Sequence, residues 1–315
     1  MSGLVIGSRG SALARTQSEL IRDELLKTGL AEEIHIQIIK TLGDRIQDVP
    51  LSRVGGKGLF VKEIEQALLA GDIDIAVHSM KDMPIVQPEG LVIGAVPRRE
   101  DARDVVVIPK GQEAIPPTPT FGTSSLRRSS QLLARFPGGR IEALRGNVDT
   151  RVRRLEESDE LDAIVLAMAG LKRLGRVADL NLIPLSVEDM LPAVGQGALA
   201  IQCRSGDSRV LELLRHLHHE DSAACTTAER AFLKGVEGSC QVPVAAHATL
   251  DADGSLQLDA LIARLDGSEV FRRTVSGARE DGEALGFQLA SELLDGGGRE
   301  VLKDCIRAFE QDNNG

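Results

Sequence analysis

The sequence predicts an α/β protein with two units of alternating strand and helix, followed by a small α+β domain built on three strands. Three patterns carry that expectation. Short β-branched runs end abruptly at polar loops and alternate with stretches whose apolar residues recur at helical spacing. Near residue 190 the segment MLPAVGQGALAIQCR combines Pro192, Gly195 and Gly197 with a strand, which suits a crossover back to the first unit and a hinge. From about residue 218 the pattern changes, and VAAHATL, SLQLDALIAR and FRRTVSG read as three strands joined by DADG and DGSE turns. A chain of 315 residues is long enough for two or three domains.

In order, residues 4–7 (LVIG) form a first strand, and a helix follows with Leu13, Leu20, Ile21 and Leu25 on one face until Gly29 ends it. Ser8, Arg9 and Ser11 stand at the helix start, where they serve either as a plain cap or, with Arg9, as an anion site. Ile34, Ile36 and Ile38 alternate as a second strand. RVGGKGLF (53–60) lacks a Ser or Thr after Lys57 and is not a Walker A loop; three glycines around one lysine predict a mobile lid. A helix over about 60–70 stops at Gly71 and feeds DIDIAVHSMKDMP (72–84). There an apolar strand meets Lys81 and Asp82 before Pro84 removes a backbone donor. Ligands of open α/β sheets bind beyond the carboxyl ends of strands, so this ionic pair is either a solvated loop or part of a site.

The second unit starts near DVVVIP (104–109). Thr123, Ser124 and Ser125 precede a helix with Arg127 and Arg128 in its first turn, and Asn147 caps another that places Arg151 one turn in. Arginine in a first turn opposes the helix dipole, and several such residues point to an anionic ligand. A strand over 161–168 and the helix AGLKRLGR complete the unit. Beyond it, a helix with Ala224, Ala228, Ala231 and Phe232 on one side precedes the three strands, and a helix around 280–296 closes the last domain.

The net charge of −10 argues against general nucleic-acid binding, yet residues 123–154 hold eight arginines against Glu142 and Asp149, a local +6. With no Trp or Tyr and only seven Phe, stacking platforms for single strands are essentially missing, so a small polyanion fits this segment better. The apolar stretches are too short to span a bilayer, and no basic start precedes a long apolar region, so the expected address is the cytoplasm. Cys203, Cys225, Cys240 and Cys305 lack metal-ligand spacing and are expected as thiols. His216, His218, His219 and Glu220 have no further ligand near them in sequence and read as a solvated helix face rather than a metal site.

Several separated stretches match one family. VGGKGLFVKEIE, DIAVHSMKDMP, GTSSLRR, LRGNVDTR, LPAVGQGA and GSCQVPVAA stand, in order from 53 to 246, as in porphobilinogen deaminases, also called hydroxymethylbilane synthases. With GSRGSALA near the start and the three-strand tail, the chain resembles that family over nearly its whole length. The resemblance implies two periplasmic-binding-protein-like α/β domains and a C-terminal α+β domain with a three-stranded sheet. Their expected spans are 1–98 with 191–216, then 99–190, then 217–315, the third presenting Cys240 to the cleft.

It also implies a reaction. Such enzymes condense four porphobilinogen molecules head to tail into the linear tetrapyrrole hydroxymethylbilane, on one dipyrromethane cofactor held by a thioether, in haem biosynthesis. By motif the thioether cysteine is Cys240, which the residues alone would leave as an inert buried thiol. Asp82 matches the catalytic carboxylate, placed to stabilise positive charge at pyrrole nitrogens and relay protons. Lys81, Ser79, Thr123, Ser125, Arg127, Arg128, Arg145 and Gly146 match cofactor-binding positions. Arg9, Ser11, Gln17, Arg145, Asn147 and Arg151 match substrate-binding ones, with Ser124 as a further neutral donor. Because each pyrrole brings two carboxylates, the cations balance charge and orient the chain. Lys57 and Phe60 map to the lid.

Porphobilinogen and the growing oligopyrrole are the implied partners of a monomer, with no metal, membrane or nucleic acid. Gly10 and Ala12 replace the more usual Gln and Pro, Ala102 replaces Pro, and GSC stands for the commoner GGC. The competing reading is a two-domain binding protein for a small carboxylate or oxyanion that does no chemistry; fold alone does not separate the two.

Overall fold

A computed structural model describes residues 3–41, 61–237 and 242–314; Lys57, Phe60 and Cys240 lie outside them. In chain order the elements begin with β1 (Leu4–Ser8), α1 (Ala12–Lys27), β2 (Ile34–Ile38), α2 (Lys62–Ala70), β3 (Ile75–Ser79) and β4 (Leu91–Ala95). Next come β5 (Asp104–Ile108), β6 (Thr120–Gly122), α3 (Leu126–Arg135), β7 (Arg140–Glu142), α4 (Val148–Glu157), β8 (Ala163–Ala167), α5 (Met168–Arg173) and β9 (Asn181–Pro184). The chain then runs through β10 (Leu199–Arg204), α6 (Ser208–Leu214) and α7 (Glu220–Gly235). It ends with β11 (Val244–Leu250), β12 (Leu256–Ala263), β13 (Val270–Gly277), α8 (Gly282–Leu293) and α9 (Arg299–Asn314).

Two compact units result, Met1–Glu100 with Gly197–Ala223, and Asp101–Gln196 with Ala224–Gly315. The first holds a five-stranded sheet of order β2-β1-β3-β10-β4. β1 is parallel to β2 and β3, whereas β10 runs antiparallel to both of its neighbours. One face buries Ile6, Ile75, Val77 and Ile201 against Ile21 and Leu25 of α1 and Leu213 of α6; the other packs Ala76 with Ile64 and Leu68 of α2. Apolar residues on both faces explain the uninterrupted β-branched run of β3. The turn after α2 is made by Gly71 in the left-handed region, as its position predicts.

The second unit holds a sheet of order β7-β6-β8-β5-β9, in which β5 is antiparallel to β8 and β9 while β6 is parallel to β7 and β8. It also holds the antiparallel sheet β11-β12-β13, whose inner face packs on Phe232 of α7, Leu289 of α8 and Val301 of α9. The expected α/β class with a three-stranded C-terminal sheet is therefore what the chain forms.

Some local expectations shift. The apolar strand expected within 72–84 is confined to Ile75–Ser79 and is followed by a 3-10 turn, Met80–Asp82. Ile73 is fully buried all the same. β6 and β9 leave no mark in the sequence, because three residues ending in glycine, and Asn-Leu-Ile-Pro, are too short and mixed to show a period. α9 was hidden by Gly296, Gly297 and Gly298, which read as a terminus. His218 and His219 secure the approach to α7: the Val96 N–H donates to His218 Nδ1 at 3.3 Å, and His219 N–H donates to the Val96 carbonyl at 2.8 Å.

Candidate functional site

In the first unit the site grows from the ends of β1 and β3. Ser11 is extended (φ −67°, ψ 148°) and its hydroxyl accepts from Ala14 N–H at 3.3 Å, which caps α1 just after Arg9. Gln17 is buried in α1 and its Nε2 donates to Ser79 Oγ at 3.0 Å, so the first helix and the end of β3 are tied together. The 3-10 turn that follows is held by its apolar residues. Met80 N–H donates to the Ala198 carbonyl at 3.0 Å, Met83 N–H to the Met80 carbonyl at 3.1 Å, and both methionines pack beside Val61, Val96 and Ala200. Lys81 and Asp82, between them, are left exposed. Buried anchors on each side turn a short polar dipeptide outward. A pocket of about 70 Å³ is lined by Arg9, Ser11, Gln17, His78, Ser79 and Asp82.

His78 was not among the expected residues. It is 5% exposed in β3, and its Nε2 has no hydrogen-bond partner among the described residues. Burial pushes its pKa down to about 4, the charge of Arg9 adds to that, and Gln202 opposes it, so the imidazole is neutral near pH 7. Its signal in the sequence is weak, a single polar ring inside an apolar strand.

In the second unit the site grows from the ends of β6 and β7. Ser125 caps α3, accepting from Arg128 N–H at 3.5 Å. Thr123 is buried and accepts from Ser125 N–H at 3.2 Å, and Ser124 Oγ donates to the Leu144 carbonyl at 3.0 Å. Asn147 caps α4 by accepting from Thr150 N–H at 2.8 Å. Before it, Gly146 has φ +106°, and a Cβ there would lie 2.7 Å from Thr150 Cγ2, so only glycine fits. Arg151 Nε donates to the Gly146 carbonyl at 2.9 Å. Its pKa is lowered to about 10, chiefly by burial and then by the neighbouring charges of Arg128 and Arg145. Three guanidiniums thus share one positive region at two helix starts.

Arg127 and Arg128 are both buried, and each pairs with Asp104 at the start of β5: Arg127 Nη1 to Oδ2 at 2.7 Å, and Arg128 Nη2 to Oδ1 at 2.8 Å. Burial alone would raise the Asp104 pKa, but the two guanidiniums outweigh it and hold the carboxyl well below the usual range. The Nε–H of Arg127 has no hydrogen-bond partner among the described residues. An unmet buried donor on a cation, beside Arg128 in the first turn of α3, fits a ligand that carries carboxylates. Asp104 was also missed, though an acid heading the run VVVI needs a buried partner.

The structure thus gathers Arg9, Ser11, Gln17, Ser79 and Asp82 about one pocket and gathers Arg128, Arg145 and Arg151 in one field, with Thr123, Ser125, Gly146 and Asn147 shaping the adjoining helix starts. Among the described residues, no group of three or more His, Cys, Asp or Glu could hold a metal ion.

Strand ends that carry fixed cations and capping hydroxyls in one unit, and an exposed carboxylate beside a pocket in the other, define an α/β protein equipped for a small polycarboxylate. Family models narrow that class: "Porphobilinogen deaminase, dipyromethane cofactor binding domain" matches residues 4–212, and "Porphobilinogen deaminase, C-terminal domain" matches residues 223–295. Porphobilinogen deaminase of Geobacillus kaustophilus is 51% identical over 306 residues, 96% of this chain and 97% of its own length. That of Syntrophotalea carbinolica is 50% identical over 305 residues, 96% and 95% of the two chains. The chain belongs to the porphobilinogen deaminase family. Among solved structures, the second substrate binding domain of a putative amino acid ABC transporter from Streptococcus pneumoniae aligns at a TM-score of 0.42 with 14% identity, over 68% of this chain and 91% of its own.

Proposed function

We propose that this chain is a hydroxymethylbilane synthase that joins four porphobilinogen molecules head to tail, with loss of ammonia at each step. The observation that carries the reading is the 51% identity over 96% of the chain, which extends through both family domains and leaves no basis for a non-catalytic binding protein. Dipyrromethane, when bound through Cys240, supplies the covalent starting point and the nucleophilic end pyrrole.

The residues of the chain take the other roles. Asp82, exposed at the 3-10 turn, accepts hydrogen bonds from pyrrole N–H groups, stabilises the positive charge that develops as ammonia leaves, and carries protons between ring and solvent. Lys81 binds a cofactor carboxylate, with Ser79, Thr123, Ser125 and Gly146 as neighbouring neutral donors. Arg127, Arg128 and Arg145 hold the carboxylates of the cofactor. Arg9, Ser11, Gln17, Arg145, Asn147 and Arg151 hold those of the incoming substrate, and Ser124 supports that helix start. The cost of gathering several carboxylates is offset by charge-assisted hydrogen bonds from fixed guanidiniums. His78 stays neutral under the pocket and adds no charge to it. Lys57 and Phe60 form the lid.

The working protein is a cytoplasmic monomer of three domains, free of metal, membrane and nucleic acid. Among the described residues no helix is long and apolar enough to cross a membrane. The test is the intact mass of the purified protein. It should exceed the sequence mass by one covalent dipyrromethane, and Cys240→Ser should remove the excess together with turnover. An unmodified mass in protein that turns over porphobilinogen would sink the reading.

A further inference from the structure

Asp104 does more than close an ion pair. Its Oδ1 accepts from Arg128 Nη2 at 2.8 Å and Nε at 3.1 Å, its Oδ2 accepts from Arg127 Nη1 at 2.7 Å, and Gln196 Nε2 donates to Oδ1 at 3.0 Å. Gln196 Nε2 also donates to the Ala102 carbonyl at 2.8 Å, so the two stretches that enter and leave this unit, around 101–104 and 191–196, are joined through it. The later stretch is held again at Leu191. Its carbonyl accepts from Arg127 Nη1 at 2.7 Å and Gln131 Nε2 at 3.1 Å, and its N–H donates to Gln131 Oε1 at 2.7 Å.

The charge of this buried cluster does not balance. One carboxylate serves two guanidiniums, so the triad keeps a charge of +1, and among the described residues the Nε–H of Arg127 stays unmet. A cluster built only for stability would match its charges, because an uncompensated buried ion is strongly unfavourable. The residual charge stands at the start of α3, where the helix N-terminus adds to the positive potential.

We infer that Asp104 is the positioning residue of the cofactor site: it fixes the guanidinium planes of Arg127 and Arg128, leaves them one positive charge to meet an incoming carboxylate, and ties them through Gln196 to the segment 191–196. The inference rests on the reading above, in which Arg127 and Arg128 hold dipyrromethane. It assigns to Asp104 no contact with the cofactor and no proton transfer. Orientation is its whole contribution, since a forked guanidinium binds a carboxylate well only when its plane is set in advance.

The experiment compares wild type, Asp104→Asn, Asp104→Glu and Gln196→Leu. Each is purified as folded monomer, and the ratio of cofactor-loaded to unloaded protein is read from intact mass, beside the thermal midpoint. Asp104→Asn should lower the loaded-to-unloaded ratio at least tenfold in the folded fraction, and Asp104→Glu should recover part of it. A merely structural carboxylate would lower the thermal midpoint of Asp104→Asn and leave the ratio of its folded fraction at the wild-type value, and that result overturns the inference. Should Asp104→Asn yield no folded protein, Gln196→Leu decides, because it keeps both ion pairs and removes one bond to the carboxylate. A ratio lowered threefold or more upholds the inference, and an unchanged ratio overturns it. Absence of any adduct in active wild type would instead overturn the cofactor reading itself, so the two failures are distinguishable.

Discussion

The two five-stranded sheets follow one plan and present different side chains at their strand ends. β1, β2, β3, β10 and β4 correspond in order and direction to β6, β7, β8, β5 and β9, and in each sheet the antiparallel strand is the one adjacent to a chain crossing between units. The first strand of each leads into a Ser-capped helix, by Ser11 in one and Ser125 in the other. The third strands differ. β3 is followed by a tight turn that exposes Lys81 and Asp82, whereas β8 runs straight into α5 with Met168 and Ala169 buried. Strand order therefore decides where residues gather, and the three residues after each strand decide what they can do. One sheet end carries the exposed acid, the other the guanidinium field.

That contrast can be broken first at its acid. Asp82→Asn should lower turnover by about 10²- to 10⁴-fold, the usual range for loss of a positioned acid or base, while far-UV circular dichroism is unchanged because the side chain is exposed. Near-normal turnover would move the acid/base work elsewhere. The guanidinium field comes next. Arg151→Leu should cost about 10- to 100-fold in kcat/KM, the equivalent of one charged hydrogen bond of roughly 1.5–3 kcal/mol, and intermediates of the assembly should accumulate. Unaltered kinetics would remove Arg151 from the site.

A smaller effect separates the two units by pH. His78 is neutral when folded, with a pKa lowered to about 4 by burial, against an ordinary value of 6.5. Below pH 6.5 the unfolded chain binds a proton that the folded chain refuses, so this residue reduces stability progressively as pH falls from 6.5 toward 4. By pH 5 the loss relative to pH 7.5 is about 2 kcal/mol. His78→Leu should therefore flatten the dependence of denaturant unfolding on pH across that range. A variant with the same slope as wild type would show that the slope has another source.

The parts that were legible in the sequence are those whose physics is local. Ser11, Ser125 and Asn147 announce helix starts because a cap acts within three residues, and the alternation of β11 to β13 marks a half-buried antiparallel sheet. Gly195 and Gly197 mark the crossing before β10 because both take positive φ, 70° and 86°. Asp82 and Cys240 take their expected roles from family motifs rather than from spacing, and Cys240 lies outside the described residues. Asp104 was invisible for a different reason: it meets Arg127 and Arg128 across 23 and 24 residues, and a local count of charge credited those arginines in full. His78 is similar, since its loss of charge depends on burial that no neighbour in sequence reveals.

The mildest test returns to the helix starts that the two units share. Asn147 holds Thr150 N–H at 2.8 Å, a good cap, while Ser11 holds Ala14 N–H at 3.3 Å, a long one. Replacing a cap by alanine costs typically about 1 kcal/mol, so Asn147→Ala should lose about that much in denaturant unfolding and Ser11→Ala distinctly less. The asymmetry bears on ligand binding, because a side chain that leaves its helix loosely can turn to an incoming carboxylate at little cost, whereas one that caps firmly must give up its bond first. Under the proposed function, Ser11 would meet the substrate carboxylate with its hydroxyl directly, and Asn147 would do so only after giving up its cap. Equal losses in the two variants would erase the distinction and make both residues plain caps.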